Sequence, residues 1–119
     1  MEEFVLFFRR DIKTKEAQPS PEQMQAAVKK WQDWTGSVAA QNKLAGTGPR
    51  LHPEGKVVRP NDVVTNGPYA EIKEAIGGFM RIKASDYDDA VSIAKMCPIL
   101  EWGGSVEIRK AIGVDDDAG

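Results

Sequence analysis

The chain opens with a continuous apolar run, and later segments alternate apolar and polar positions. Residues 4–8 read FVLFF and are followed directly by Arg9 and Arg10. A run of this length, rich in aromatic side chains and ended by charges, predicts a strand with both faces buried. Residues 79–83 and 105–109 alternate, which is typical of strands with one apolar face. The pattern therefore predicts three strands, the first of them apolar throughout.

Two segments between these strands have the periodicity of amphipathic helices. Ser20 precedes Pro21 and Gln23, and this spacing predicts a capping box with proline at the first helical position. The helix should then end near residues 42–46, after an apolar stripe of Met24, Ala27, Val28, Trp31, Trp34, Thr35 and Val38. A second helix should begin at 85–88 and end before Pro98, burying Tyr87, Ala90, Val91 and Ala94.

The middle of the chain has many turn-forming residues. Glycine, proline and asparagine punctuate residues 44–78, so the elements between them must be short. We expect a turn into a short strand at residues 44–51, a hairpin at 56–65 and a tight turn at 66–69. A helix of one or two turns should follow at residues 70–76 and end at the glycine pair 77–78.

This order of elements predicts an α+β domain. The sequence favours a ferredoxin-like βαββαβ antiparallel sheet with both helices on one face. Its elements follow in the order strand, long helix, short strand, strand, helix and strand. Such a sheet leaves its other face bare, yet the first strand is apolar on both sides. The simplest cover is a second copy of the chain, so we expect a homodimer packed through the sheet face.

Composition and charge indicate which partners and which cellular compartment to expect. The 119 residues fit one domain, with 41% hydrophobic and 29% charged residues and a net charge of −2. Lysine and arginine form no basic stripe, so we expect no nucleic-acid partner. The first apolar run is too short for a bilayer, and its acidic start excludes a secretory signal, so we expect no membrane association. Cys97 is the only cysteine, which favours a reducing, cytoplasmic location.

One stretch carries a resemblance to a known family. Residues 66–79, NGPYAEIKEAIGGF, resemble the signature of the YCII-related family, in the branch called DGPF after its motif. Trp31 and Trp34 before residues 44–48, and Cys97-Pro98 before residues 103–109, support the likeness. It implies a ferredoxin-like fold assembled as a dimeric α/β barrel. The expected domain covers residues 1–112, and residues 113–119 form an acidic tail that we expect to be disordered.

The resemblance also suggests functions. Some relatives are thought to be enzymes that use a His–Asp pair on small aromatic or lactone-like substrates, and others occur beside or fused to sigma-factor-like transcription proteins. This chain has Asn66 where the motif begins with Asp, and Trp31 near the position of the helix histidine. Neither side chain can cycle a proton near neutral pH, so that mechanism does not transfer directly.

Two residues are candidate catalytic groups, His52 and Glu71. His52 is the only histidine and has the intrinsic acid–base range for proton transfer, although a loop histidine is commonly just solvated. Glu71 and Glu74 would share a face of the predicted short helix, either as a solvated surface or as a pocket wall. Cys97 is expected to be a small buried hydrophobe, and one histidine and one distant cysteine make no metal site.

The candidate substrate-binding residues are Asn66, Tyr69, Lys73 and Arg109. The first three belong to the motif region, where Asn66 and Tyr69 would orient a substrate. Arg109 belongs to a set of strand cations with two interpretations. The set consists of Arg9, Arg81, Lys83 and Arg109, with Glu107 as an acidic neighbour. These side chains can form ion pairs across the dimer, or they can line an anion site.

Two functional hypotheses follow. The first is an enzyme, or a degenerate relative of one, that binds a small organic molecule and catalyses cofactor-free proton transfer of the isomerase or lyase type. The second is a non-catalytic regulatory or interaction module associated with transcription. Asn66 and Trp31 favour the second slightly, because each replaces a proton-transfer group.

Overall fold

The computed structural model describes residues 1–11, 20–67 and 74–113, apart from the side chains of Asp11, Gly67, Glu74 and Ala75. Its elements are given in chain order: β1 (Glu2–Asp11), α1 (Pro21–Ala40), β2 (Leu44–Thr47), β3 (Gly55–Arg59), β4 (Val63–Gly67), β5 (Glu74–Ala84), α2 (Tyr87–Ala94), a 3₁₀ helix (Pro98–Trp102) and β6 (Ser105–Lys110). The expected α+β class is confirmed.

Four strands form one sheet in the order β2-β5-β1-β6, and every pair of neighbours is antiparallel. Strand β5 therefore lies between β1 and β2, which α1 connects. This split βαβ arrangement is compatible with the ferredoxin-like fold. Strands β3 and β4 pair separately as the predicted hairpin.

The first helix begins where its capping residues predict. The Ser20 hydroxyl accepts the Gln23 N–H at 3.1 Å, and the Gln23 side chain accepts the Ser20 N–H at 2.8 Å. Both bonds satisfy donors that have no partner inside a helix. The helix ends at Ala40, and Asn42 then adopts a left-handed φ of 59°.

Both helices pack on the same face of the sheet, as predicted. Phe4, Leu6 and Phe8 of β1 are buried and alternate along the strand. The Phe4 ring lies 5.0 Å from that of Tyr87 on α2, and the Phe8 ring lies 4.8 Å from that of Trp31 on α1. Since alternate residues share a face of a strand, α1 and α2 cover one side of β1.

The expected burial of both β1 faces does not occur within one protomer. Val5 and Phe7 point away from the helices and remain partly exposed. The α1 stripe is also covered only in part, because Trp34 and Val38 are buried whereas Met24 is 45% and Val28 54% exposed. The first two turns of α1 thus extend beyond the cover that the sheet provides.

The predicted short helix at 70–76 is wrong at its C-terminal end. Residues 74–76 belong to β5, which continues through Gly77 and Gly78. These residues pair with the end of β1, where Asp11 lies opposite Glu74 and Phe8 opposite Gly78. Long-range pairing overrides local helix preference here, so Glu71 and Glu74 cannot share one helix face. Residues 70–73 lie outside the described residues.

Two glycines form a matched pair for a stability test. A Cβ on Gly104 would lie 2.6 Å from Ile99 Cγ1 and 2.7 Å from the Arg9 carbonyl oxygen, whereas a Cβ on Gly36 would meet nothing within 4 Å. We expect Gly104→Ala to lower the free energy of unfolding by about 1–3 kcal/mol through overpacking. Gly36→Ala, in α1, should raise it by about 0.8–1.0 kcal/mol. Urea denaturation checks both, and a shift of the same sign in the two variants would contradict the packing at Gly104.

Candidate functional site

The candidate site is the side of the four-stranded sheet that faces away from the helices, here called the open face. Its members alternate with the residues that face the core along three strands, and the strand register places them in one layer. They are Glu3, Val5, Phe7 and Arg9 of β1, Phe79, Arg81 and Lys83 of β5, and Ser105, Glu107 and Arg109 of β6.

Two neighbouring rows define the centre of the open face. Val5 lies opposite Arg81 on one side and Arg109 on the other. In the next row Phe7 lies between Phe79 and Glu107. Val5, Phe7 and Phe79 are partly exposed. Two strand spacings separate Arg81 from Arg109, so their Cα atoms lie about 10 Å apart, with an apolar floor between them.

Glu107 is held by two arginines. One of its oxygens accepts from Arg9 Nε at 3.1 Å and Arg9 Nη2 at 2.9 Å, and the other lies 3.5 Å from Arg109 Nη1. The hydrogen bonds from Arg9, with the charges of Arg9 and Arg109, lower the pKa of Glu107 below its usual value although partial burial opposes the shift. Glu107 is therefore a carboxylate at neutral pH and fixes the position of Arg9.

Arg109 is the most loosely held arginine of this set. Its side chain is 70% exposed, and its contact with Glu107 is the longest of the ion pairs on the open face. Arg81, by contrast, donates twice to Glu3 Oε1 at 2.9 and 2.7 Å. Among the side chains that the structure describes, the open face has four cations, Arg9, Arg81, Lys83 and Arg109, and two carboxylates, Glu3 and Glu107. Such a surface suits an anion.

His52 lies far from Arg109 within one protomer. It is exposed in the segment between β2 and β3, and the Leu51 N–H donates to the Gly77 carbonyl on the outer side of β5. Arg109 is on β6 at the opposite edge of the sheet, three strand spacings or about 14 Å away. The structure does not bring these two predicted site residues together.

The ring of His52 has a local partner. Its Nδ1 accepts the Glu54 N–H at 3.1 Å. A neutral imidazole whose Nδ1 is an acceptor carries its proton on Nε2, so Nε2 is a donor in this arrangement. As a general base, His52 would have to release the Glu54 amide or change tautomer.

The other predicted site residues belong to the motif region. Asn66 is on β4, opposite Lys56, whose ammonium group donates to the Asn66 side-chain oxygen. Tyr69, Glu71 and Lys73 lie outside the described residues, and their roles stay predictions.

Trp31, Trp34 and Cys97 contribute to the packing of the protein core. The ring of Trp31 lies 5.5 Å from that of Trp34, and Trp34 Nε1 donates to the Ile93 carbonyl at 3.1 Å. Both therefore pack in the aromatic part of the core, as their helix stripe predicts. Burial raises the pKa of the Cys97 thiol to about 11, which keeps it protonated and unreactive at neutral pH.

Two clefts lie elsewhere on the described surface. One of about 270 Å³ lies beside the start of β1 and the end of β6, and one of about 140 Å³ lies between the helices, next to the ion pair of Lys43 and Asp89. Both fall below the about 300–1,000 Å³ of usual ligand pockets. In residues 1–11, 20–67 and 74–113, no three metal-binding side chains cluster and no helix is long and apolar enough to cross a bilayer.

Sequence reasoning identified the strand cations but missed their surroundings. It did not find Phe7 beside Phe79, nor Glu3 as the acceptor for Arg81. The alternation of each strand was a sufficient signal for the face on which these residues lie, but only the register between strands shows which of them are neighbours.

Comparison with known protein families identifies the family of the chain. No curated protein matches the chain. The family model of the YCII-related domain matches residues 4–112, which is nearly the whole chain and includes every strand and helix described above except the first two residues of β1. The chain therefore belongs to the YCII-related family.

Proposed function

We propose that the protein is a homodimer, with the sheets of two copies packed face to face as a dimeric α/β barrel, that binds a small organic anion on the open face. The observation that supports this most is the arrangement of Arg81 and Arg109 on either side of Val5, next to Phe7 and Phe79.

The arrangement fits a ligand with one acidic end and one apolar end. A carboxylate above Val5 would be within reach of both guanidinium groups, which match carboxylate geometry and stay charged at all ordinary pH values. Its apolar or aromatic part would lie on Phe7 and Phe79, where aromatic faces favour such contacts. An aromatic carboxylate is thus the ligand class that the open face suits best.

The same charges connect ligand binding to dimerisation. Packing two open faces together places cations of like sign near one another, and this opposes association. An anion bound to Arg109 would remove part of that repulsion, so the ligand should bind the dimer more tightly than the single protomer and stabilise it by mass action. Val5 and Phe7 supply the apolar surface that favours covering the face.

Binding without chemistry is the function that the geometry supports best. Trp31 packs on Phe8, and the Asn66 side chain accepts a hydrogen bond from Lys56. Neither residue therefore does the work of the proton-transfer group that it replaces. These contacts favour the non-catalytic module, of which a regulatory role beside a sigma-factor-like protein is one form. Proton transfer by His52 and Glu71, of the isomerase or lyase type, remains the second candidate. For this reaction His52 would have to donate the proton on Nε2, while its Nδ1 continues to accept the Glu54 N–H.

Arg109→Ala is the substitution that tests the anion site. We expect it to weaken binding of benzoate about 10- to 100-fold, because a hydrogen bond to a charged group contributes about 1.5–3 kcal/mol. Isothermal titration calorimetry measures the affinity directly. Lys95→Ala, which removes one exposed charge just after α2, is the matched control and should leave the affinity within about twofold, because it lies on the helix layer. Equal binding by the wild type and Arg109→Ala, or no binding by the wild type, would contradict the proposal.

A further inference from the structure

The β3–β4 hairpin, here called the arm, is open to solvent along its length. From Gly55 to Asn66 every residue is exposed except the partly exposed Val57. The two strands of the arm pair with each other in a sheet of two strands. A two-stranded hairpin is at best marginally stable in water, so the arm should open locally more often than the four-stranded sheet.

Asn66 and Gly67 stand at the open end of the arm. Gly67 is the last residue of β4, and its partner Gly55 is the first residue of β3. The end of a strand ladder frays first, and fraying here lets the backbone between Asn66 and Gly67 rotate. Asn66 is also exposed, so water reaches its side chain.

An asparagine followed by glycine is able to close a ring within the chain. The Gly67 nitrogen is held near Asn66 Cγ by the covalent backbone, which makes the attack intramolecular. Glycine has no Cβ and hinders this approach least. Asn42 and Asn61, the other two asparagines of the chain, are followed by lysine and aspartate. Asn66 is therefore the asparagine at which ring closure is least hindered.

The Lys56 ammonium is placed to assist the ring closure. It donates to Asn66 Oδ1 from the opposite position on β3. When the Gly67 nitrogen attacks Asn66 Cγ, negative charge develops on this oxygen, and a cationic donor that is already in contact stabilises that charge. The Asn66 carboxamide thus has a donor for its oxyanion before the reaction begins.

We propose that Asn66 is a self-modification site, which deamidates through a succinimide with the assistance of Lys56. The Gly67 nitrogen bonds to Asn66 Cγ and gives its proton to solvent, and the side-chain nitrogen leaves as ammonia. Water then opens the ring. Its attack at Cγ gives aspartate, and its attack at the backbone carbonyl carbon of Asn66 gives isoaspartate. The site lies on the arm and does not depend on the anion site of the open face.

Each product changes the charge and the chemistry of the arm. The net charge of the chain falls by one, from −2 to −3. The aspartate product keeps the backbone of β4 and forms an ion pair with Lys56 in place of the present hydrogen bond. The isoaspartate product adds one carbon to the backbone and disturbs the register of β3 and β4. Both products have a carboxylate that is able to accept a proton, which the Asn66 amide is not.

Peptide mapping by mass spectrometry tests the site on the full chain. The wild type is incubated in mildly alkaline buffer and sampled over several weeks, with fragmentation of the peptides to distinguish Asn66 from Asn61. We expect Asn66 to gain the mass that separates a carboxyl from a carboxamide, while Asn42 and Asn61 stay intact as internal controls. An Asn66 that stays intact, or that reacts no faster than the other two asparagines, would overturn the proposal.

Variants at two positions test the assigned roles. Lys56→Met removes the ammonium and keeps an unbranched side chain, and should slow deamidation about two- to fivefold, as expected for one exposed charged group. Lys56→Arg keeps a cationic donor and should react at the wild-type rate. Gly67→Ala should slow the reaction further, because its methyl group hinders the attacking nitrogen. A rate in Lys56→Met that equals or exceeds the wild-type rate would overturn the role of Lys56. These rates need no ligand, so their outcome is separate from that of the benzoate titration.

Discussion

Replacing Trp34 by alanine is expected to lower the free energy of unfolding by about 3–5 kcal/mol, the usual cost of truncating a buried tryptophan. Trp34 is 7% exposed, and its ring contacts those of Phe8 and Trp31 at centroid distances of 6.0 and 5.5 Å. It is thus the side chain through which α1 packs on both the sheet and α2. A domain of this size has about 5–15 kcal/mol of stability in all, so the loss should be a large fraction of the total and should lower the denaturation midpoint clearly.

Trp34→Phe separates packing from hydrogen bonding. Phenylalanine keeps most of the apolar contact but leaves the Ile93 carbonyl without the indole donor. We expect it to cost about 0.5–1.5 kcal/mol, the usual contribution of one hydrogen bond, because the Met96 N–H still donates to the Ile93 carbonyl at 3.2 Å. Urea denaturation of both variants gives the comparison. A loss in Trp34→Ala that is no larger than the loss in Trp34→Phe would contradict the packing role of the ring.

Replacing Phe7 by lysine should have the largest effect on assembly. Phe7 lies at the centre of the open face, between Phe79 and Glu107, and is partly exposed in one protomer. The protomer should therefore tolerate the change. In the dimer the new ammonium would face a surface that already has an excess of cations, and like-charge contact at an interface costs several kcal/mol. We expect the dimer dissociation constant to rise at least about 100-fold.

Val28→Lys is the control for that substitution. Val28 is 54% exposed on α1, which is in the other layer of the protein. It makes the same change from an apolar to a cationic side chain without touching the open face. Light scattering over a dilution series compares the two variants. Equal dissociation constants would show that the open face takes no part in association.

Local signals predicted where α1 and α2 begin. The start of α1 depends on Ser20 and Gln23, which are three residues apart, and the structure contains both capping bonds. The start of α2 depends in the same way on the Asp86 side chain, which accepts the Asp89 N–H at 2.8 Å. Such bonds form within one turn, so the sequence alone contains all the atoms that decide them.

Long-range pairing could not be predicted in the same way. Residues 74–78 have helix-like and turn-like neighbours, but they continue β5 because the end of β1 offers them a partner more than sixty residues earlier in the chain. The open face shows the same limit. Alternation predicted that Arg109 and Glu107 share a side of β6, yet the stronger partner of Glu107 is Arg9 on the next strand. The register between strands decides such pairs.

The exposed half of α1 shows why a stripe is not the same as a buried surface. Met24 and Val28 continue the apolar spacing of Trp34 and Val38, but the described sheet does not cover them. Periodicity predicts which residues share a face of a helix, whereas the length of the sheet beneath decides how many of them are buried.

The most direct test of the account is sedimentation equilibrium of the wild type beside Phe7→Lys at low micromolar concentration. We expect twice the mass of one chain for the wild type, because a second copy covers the open face, and the mass of one chain for Phe7→Lys, because that face then stays exposed. A wild-type protein that sediments as a single chain, with Val5 and Phe7 left in water, would contradict it.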